Sequence, residues 1–227
     1  MLDEMTRMPT AVLLSAGLDS AVLAASEARS FLVHPVYVTA GLAWEDDERR
    51  ALERLLATPL FADVQPLATL AFTVHDLYPE SHWAIRGEAP AFDTPDEDVY
   101  LVGRNVILLS KAAIYCARHG IRRIALGPLA GNPFPDATPA FFTAMARALS
   151  LGLAQPLEVH TPFASLHKAD VIALGTQLGV PLELTLSCMS PEREMHCGRC
   201  SKCRERRDAF TAARVLDSTV YATPPLR

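Results

Sequence analysis

The sequence predicts an α/β fold: a parallel, Rossmann-like sheet with helices on both faces and a small four-cysteine segment at the C-terminal end. Three observations carry that prediction. Short apolar runs alternate with amphipathic helical stretches up to about residue 180. The first apolar run breaks into a turn of small residues that opens a helix. Four of the five cysteines crowd into positions 188–203.

A chain of 227 residues suits one large domain or two small ones and can bury a substantial core. Half of it is hydrophobic and 21% is charged, the balance of a folded domain and not of a disordered one. The net charge of −5 gives no reason to expect nucleic acid as a partner, and leaves room for a small anion in a local basic pocket. No uncharged apolar run approaches the roughly 18 residues that span a bilayer. Met1-Leu2-Asp3-Glu4 is acidic and lacks a signal-peptide layout, so the cytoplasm is the expected compartment.

In chain order, Ala11 to Leu14 is a buried strand, Ser15-Ala16-Gly17-Leu18-Asp19-Ser20 a turn, and Ala21 onward a helix. That geometry aims backbone N–H groups at an anion, with Ser15 and Ser20 as extra donors. An ordinary βα turn with a good N-cap gives the same pattern. Phe31 to Thr39 is a second strand, on which His34 is an edge or core residue. Glu45 to Leu56 sets Leu52, Leu55 and Leu56 at helical spacing among charges. Val64 to Ala68 is a weaker strand. Thr73 to Asp98, with His75, His82, Trp83 and Arg86, is long for a loop and is either a flap or the carrier of a short helix.

Gly103-Arg104-Asn105 turns the chain into a helix over Val106 to His119, where Cys116 is a buried small hydrophobe. Arg123 to Gly127 is another buried strand. The prolines at 128, 133 and 135 exclude helix and central strand after it, leaving a rigid, polar-tipped loop at the ligand edge. Thr138 caps the next helix, with Pro139 at its first position and an end near Leu151. Leu157 to His160 is a short strand. Leu166 to Asp170 opens a last amphipathic helix, closed by Gly179 before Pro181. The expected division is an α/β domain over 8–183 and a metal-binding segment over 184–227 packed on it.

Cys188, Cys197, Cys200 and Cys203 form C-x8-C-x2-C-x2-C. Each C-x2-C brings two thiolates to one tetrahedral ion, and Gly198 permits the tight turn; four soft ligands with no open position favour structural zinc. Arg199, Lys202 and Arg204 are expected to offset the thiolate charge. An iron–sulfur cluster is the alternative, because C-x2-C-x2-C resembles ferredoxin spacing. His196 is expected to be a neighbour of the site and not a ligand.

Together these pieces resemble the 7-cyano-7-deazaguanine synthase family, among the ATP pyrophosphatases of the adenine-nucleotide α-hydrolase-like fold. Ser15 to Ser20 is similar to the superfamily's S-G-G-x-D-S loop, and Gly103-Arg104-Asn105 to the family's G-R-N turn. Phe134-Pro135-Asp136, Thr138-Pro139 and Phe141 resemble its Y-P-D-C-R-P-x-F segment. Lys168 falls where the superfamily carries a second phosphate-binding lysine. Ser187-Cys188 and His196-Cys197-Gly198-x-Cys200-x-x-Cys203, with Glu205-Arg206, resemble the family's zinc segment. The likeness runs from about residue 11 to about 210. Three stretches depart from it: Ala16 stands for the middle glycine, which a negative φ would accommodate; Ala137-Thr138 stands for Cys-Arg; and Gly41-Leu42-Ala43-Trp44-Glu45 lacks the usual Y-G-Q-x-H.

The resemblance implies an ATP-dependent ligase joining 7-carboxy-7-deazaguanine and ammonia into the nitrile through an adenylated carboxylate, within queuosine-type biosynthesis. It implies ATP, Mg²⁺ and Zn²⁺ as cofactors and a homodimer, while the charge and the apolar runs above lead us to expect neither nucleic acid nor membrane as partner. Asp19, Lys168 and Arg104 would act on the phosphates. Leu14, Ser15, Ala16, Gly17, Leu18, Ser20, Gly103 and Gly127 complete the nucleotide site. Asn105, Asn132, Phe134 and Asp136 would meet the deazapurine, with the loop around Trp83 as a lid or as core. Rival readings are an enzyme that stops at the amide or joins the carboxylate to another amine, a tRNA thiolase, and a non-catalytic zinc-stabilised nucleotide-binding module.

Overall fold

The computed structural model describes residues 7–223, apart from the side chain of Asp96; Met1–Glu4 and the last four residues of the expected C-terminal segment lie outside them. Five parallel strands form one sheet: β1 (Pro9–Leu13), β2 (Leu32–Thr39), β3 (Ala68–Ala71), β4 (Arg123–Ala125) and β5 (Glu158–His160). Their order is β3-β2-β1-β4-β5. Winding reverses between β1 and β4, where Ala11 lies opposite both His34 and Ile124. A crevice opens at such a reversal beyond the carboxyl ends of the strands, where ligands bind.

Among the described residues, seven α-helices accompany the sheet: α1 (Leu18–Glu27), α2 (Glu45–Leu56), α3 (Trp83–Arg86), α4 (Arg104–Arg118), α5 (Pro139–Gly152), α6 (Lys168–Leu178) and α7 (Ser201–Ala213). One face packs Val22, Leu23, Leu52, Leu55, Ile172 and Phe210 from α1, α2, α6 and α7. The other packs Leu109, Ala112, Cys116 and Phe142 from α4 and α5. A third cluster, with Leu42, Trp44, Val74, Ala84, Leu101 and Met189, seats the 73–98 segment on the sheet's ligand edge. The four clustered cysteines belong to the first of these cores.

The local signals explain most element ends. The Thr138 Oγ1 accepts from the Phe141 N–H at 3.2 Å, so α5 starts where its cap dictates. Gly179, at φ 71°, ends α6 in the left-handed region. One stretch differs from expectation, and another takes one of the two forms expected of it. Val64–Leu67 is not strand: the Gln65 N–H reaches Val33 O at 2.8 Å, Pro66 then breaks the run, and pairing begins only with Val36 opposite Ala68. The 73–98 segment carries α3 and is tied down at both flanks. The Ala43 N–H donates to Ala84 O at 2.9 Å, and the Tyr78 hydroxyl to Val102 O at 3.0 Å.

Candidate active site and metal centre

The loop after β1 meets the crevice at the winding reversal. Its conformation corrects the sequence reading: Ala16 has φ 60°, a left-handed residue and not one with negative φ. An alanine there costs about 1–2 kcal/mol, held by complete burial and by the Leu186 N–H donating to Ala16 O at 2.9 Å. Gly17 caps α1 with no side-chain hydrogen bond, so the first-turn N–H groups lack a side-chain acceptor beside a cavity that Gly17, Leu18 and Asp19 line. Ser20 does not add a free donor. Its Oγ donates to Gly17 O at 3.0 Å and accepts from the Ser15 N–H at 3.3 Å, closing the loop on itself.

Beside the loop, Asp19 Oδ2 pairs with Lys168 Nζ at 3.2 Å, while its Oδ1 is buried with no partner among the described residues. Burial pushes this carboxyl up, and Lys168 opposes the shift. Lys168 opens α6 and also binds Glu205 Oε1 at 2.6 Å; Lys202 holds Glu205 Oε2 at 2.7 Å. Burial disfavours the charged forms of both Lys168 and Glu205. Their pairing overcomes it, leaving the ammonium raised and the Glu205 carboxyl down at about 2. Asp19, Lys168, Glu205 and Lys202 thus form one chain of charges from α1 through α6 to α7.

The opposite wall comes from β2 and α2. Glu45 accepts from the Ala40 and Gly41 N–H groups at 2.7 and 3.0 Å, and so closes the turn that replaces Y-G-Q-x-H. That turn presents Trp44, stacked on Trp83 with ring centroids 5.7 Å apart. One turn further along α2, Glu48 is buried and accepts from the Tyr37 hydroxyl at 2.9 Å.

The third wall is the start of α4 with the loop after β4. Gly103, at φ 76°, turns Arg104 and Asn105 into α4. The Asn105 N–H donates to Asp136 Oδ2 and its Nδ2 to Asp136 O, both at 2.9 Å. Asn105 and Asp136 therefore lock α4 to the loop. Asn132 Oδ1 accepts from the Phe134 N–H at 3.0 Å, and Phe134 stacks on Tyr100 at 4.9 Å.

Two adjoining cavities result. A strand-edge cavity of about 300 Å³ is lined by Leu14, Ser15, Tyr37, Gly127, Asn132 and Asp136, among others. A cavity of about 250 Å³ with aromatic walls is lined by Asp19, Trp44, Glu48, Trp83, Lys168 and Lys202. They share Ser15, Val99, Leu101, Arg104 and Phe134.

Cys188, Cys197, Cys200 and Cys203 bring their sulfurs within 4.8 Å of one another. The separations are 3.9 Å for Cys188–Cys200, 3.9 Å for Cys197–Cys203 and 3.5 Å for Cys200–Cys203. A tetrahedral ion with metal–sulfur bonds of about 2.3 Å sets its sulfurs about 3.8 Å apart. The quartet therefore fits one ion, whereas a multi-iron cluster would interpose its own atoms and spread the ligands. Backbone N–H groups of Ser190, Cys197, Gly198 and Arg199 point at the sulfurs at 3.3–3.5 Å.

A profile described as "Queuosine biosynthesis protein QueC" matches residues 10–214. The chain belongs to the QueC family. Among curated QueC-like relatives, the 7-cyano-7-deazaguanine synthase of Methanopyrus kandleri is 35% identical, over 93% of this chain and 98% of that one. The synthase of the same name from Anaeromyxobacter dehalogenans is also 35% identical, over 93% and 94%. Among solved structures, the U34-tRNA thiolase NcsA of Methanococcus maripaludis, with its [4Fe-4S] cluster, superposes with a TM-score of 0.51 at 12% identity. It covers 96% of this chain and 79% of that one, a likeness of fold alone.

QueC membership makes the chain an enzyme of queuosine biosynthesis, and the geometry adds what its motifs left out. Of the basic residues of the cysteine segment, Arg199 binds Glu192, Arg204 donates to Phe92 O and Thr94 O, and Lys202 binds Glu205, while the N–H groups above point at the sulfurs. His196 is not a ligand: its Nε2 accepts from the Ser187 N–H at 3.1 Å, and burial holds the ring neutral at about 3. Tyr37, Trp44 and Glu48 line or support the site unannounced by their local sequence, and Lys202 and Glu205, read only with the cysteine segment, join it through Lys168. The signal of the first three is position, near the end of β2 or shortly after it.

Proposed function

We propose that the chain is a 7-cyano-7-deazaguanine synthase, an ATP-dependent ligase that converts 7-carboxy-7-deazaguanine and ammonia to the nitrile through an adenylated carboxylate. The observation that carries this reading is the meeting of the two cavities at Ser15, Arg104 and Phe134, beside the uncapped N-terminus of α1. That junction suits an α-phosphate next to a planar acceptor. Adenosine is assigned to the strand-edge cavity, against Leu14, Ser15 and Gly127. The loop N–H groups of Ala16 to Ser20, with Lys168, hold the departing pyrophosphate. Leu18 packs beneath it, and Gly103 acts by turning Arg104 toward both cavities.

The acceptor ring is assigned to the aromatic cavity between Phe134 and the Trp44–Trp83 pair. Asn132 offers its amide at the rim, while Asn105 and Asp136 position the wall. The carboxylate attacks the α-phosphorus and pyrophosphate leaves; ammonia then displaces AMP to give the amide. A second ATP activates the amide oxygen for dehydration. The chain's share is placement and charge balance, with Arg104 and Lys168 meeting the negative charge as it moves.

Two metals fit the residues present. The orphaned, buried Asp19 Oδ1 suits Mg²⁺ carried by the nucleotide, which when bound neutralises phosphate charge. The sulfur spacing suits Zn²⁺ in a structural role, since four thiolates leave no open position. A homodimer is part of the reading, and Val106 and Ile114 of α4 and Leu151 of α5 are exposed apolar residues that support it; light scattering tests it.

A second product is favoured by one observation. Thr138, in the place of the family's arginine, caps α5, so the loop supplies no guanidinium clamp. The enzyme then stops at the amide or joins another amine. The deciding experiment supplies ATP, the deazaguanine carboxylate and ammonium, measures pyrophosphate and reads the product mass. Nitrile with pyrophosphate is the expected result. Amide or conjugate selects the second reading, and no pyrophosphate with any candidate carboxylate sinks both.

A further inference from the structure

Among the described residues, Glu48 is the one carboxylate lining the aromatic cavity that the phosphate machinery leaves unused. The ion pairs of that cavity join Lys168 to Asp19 and Glu205, and Lys202 to Glu205; none among the described residues reaches Glu48. It is 7% exposed and lines the cavity together with Lys168, Trp44 and Trp83. Its Oε2 accepts from Tyr37 at 2.9 Å, which fixes the carboxylate in place without neutralising it. Arg104, in the lining of the same cavity, acts on it through space, and a buried carboxylate without a contact ion pair is a site for a small cation. The cation this reaction consumes is ammonium.

We propose that Glu48 forms the ammonium subsite and takes the proton that the nitrogen must lose before it attacks. This rests on the synthase reading above. Ammonium docks on the Glu48 carboxylate and passes it one proton, freeing the nitrogen lone pair. That pair forms the C–N bond at the adenylated carboxyl carbon. The C–O bond to AMP breaks, its electron pair leaves on the phosphate oxygen, and the nitrogen's surplus proton departs with AMP. Glu48 returns its proton to solvent.

The charged and titratable groups around Glu48 set its working range. They are Tyr37 from β2, Glu45 from its own helix, Arg104 from α4, and across the cavity Asp19, Lys168 and Lys202. Burial pushes the Glu48 carboxyl up, Arg104 and the Tyr37 bond pull it back, Glu45 adds to the rise, and the balance lies at about 7. A group in that range accepts a proton from ammonium and releases it again near neutrality.

The test separates the half-reactions in Glu48→Gln, an isostere that can still accept the Tyr37 hydroxyl. Carboxylate-dependent exchange of pyrophosphate into ATP reports adenylation, and ammonium-dependent turnover reports the second half. The expected result is exchange within about two-fold of the parent, with ammonium turnover down at least ten-fold. Hydroxylamine is neutral at pH 7 and needs no base, so hydroxamate formation should stay within about two-fold. In Tyr37→Phe the lost hydrogen bond should move the rising limb of the ammonium pH profile to higher pH, a readout that mere loosening of the wall would not give. Equal losses of exchange, hydroxamate and ammonium turnover in Glu48→Gln would overturn the proposal. Absence of exchange in the parent enzyme would instead defeat the synthase reading on which it rests.

Discussion

Ala16 pays a conformational penalty at the centre of the site, and its size decides what a glycine there would do. Relief of the left-handed backbone returns about 1–2 kcal/mol. Loss of one fully buried methyl costs about 0.8 kcal/mol, and the greater freedom of the unfolded chain a further 0.4–1 kcal/mol or so. Ala16→Gly should therefore shift stability by less than about 1 kcal/mol, read as a denaturant midpoint at unchanged slope, and keep activity. Ala16→Val should lose at least about 2 kcal/mol, because a β-branched residue resists positive φ and the site has no room. The conformation was not legible in the sequence: Ser-Ala-Gly allows either hand, and the choice comes from Leu186, which lies 170 positions away in the chain. Glu48 gives the residue scale a pH test. Its folded value, about 7 against 4.5, is raised, so its contribution to stability is present below about pH 4.5 and lost as pH rises through 7. Glu48→Gln mimics the protonated form. It should match the parent near pH 4 and exceed it at pH 8, by on the order of 3 kcal/mol at most; thermal melts across that range check the sign.

At the scale of elements, α7 is the beam that joins the four-cysteine cluster to the aromatic cavity and to the first loop. Cys200 and Cys203 fix its start; two residues on, Glu205 holds Lys168, and Arg206 donates to Leu182 O, Thr185 Oγ1 and Ser187 Oγ beneath the first loop. The Ser201 N–H donates to Pro90 O, Arg204 holds Phe92 O and Thr94 O, and the Arg207 guanidinium lies 4.7 Å over the Phe92 ring. Elemental analysis should find about one zinc per chain. Chelation should expose the 89–94 stretch to limited proteolysis before the sheet unfolds, and a cutting pattern unchanged by chelation would break this link. Glu205→Gln tests the other end. The carboxyl is held near 2, below its unfolded value, so its stabilisation is present above about pH 4.5 and lost as pH falls through 2. The variant should lose less stability than the parent over that acid range, keep its zinc, and bind ATP several-fold more weakly because Lys168 is left to Asp19 alone. Helix starts and the cysteine centre were legible because caps and C-x2-C spacing are local chemistry. The true start of β3 and the seating of the 73–98 segment were not, because each depends on a partner distant in sequence.

Across the whole molecule, the winding order brings loops from five strand and helix ends to one edge, and leaves there two adjoining cavities, the proposed nucleotide and acceptor halves. The alternation of apolar runs made the sheet legible. The division was not, since Trp44, Tyr37 and Glu48 carry no motif and meet the cysteine segment only through the fold. The chain's two tryptophans make the division measurable. Both line the aromatic cavity, stacked with an interplanar angle of 10°, and neither lines the strand-edge cavity. A planar acceptor placed against them alters the polarity and π-contacts of both emitters, whereas adenosine in the neighbouring cavity touches neither. Titration with the deazaguanine carboxylate should therefore quench tryptophan emission saturably, while a non-hydrolysable ATP analogue alone leaves it nearly unchanged. Trp83→Phe keeps an aromatic stack against Trp44 and leaves a single emitter that should still respond. If the nucleotide quenches and the carboxylate does not, the two halves are exchanged, and the ammonium subsite assigned to Glu48 loses its acceptor.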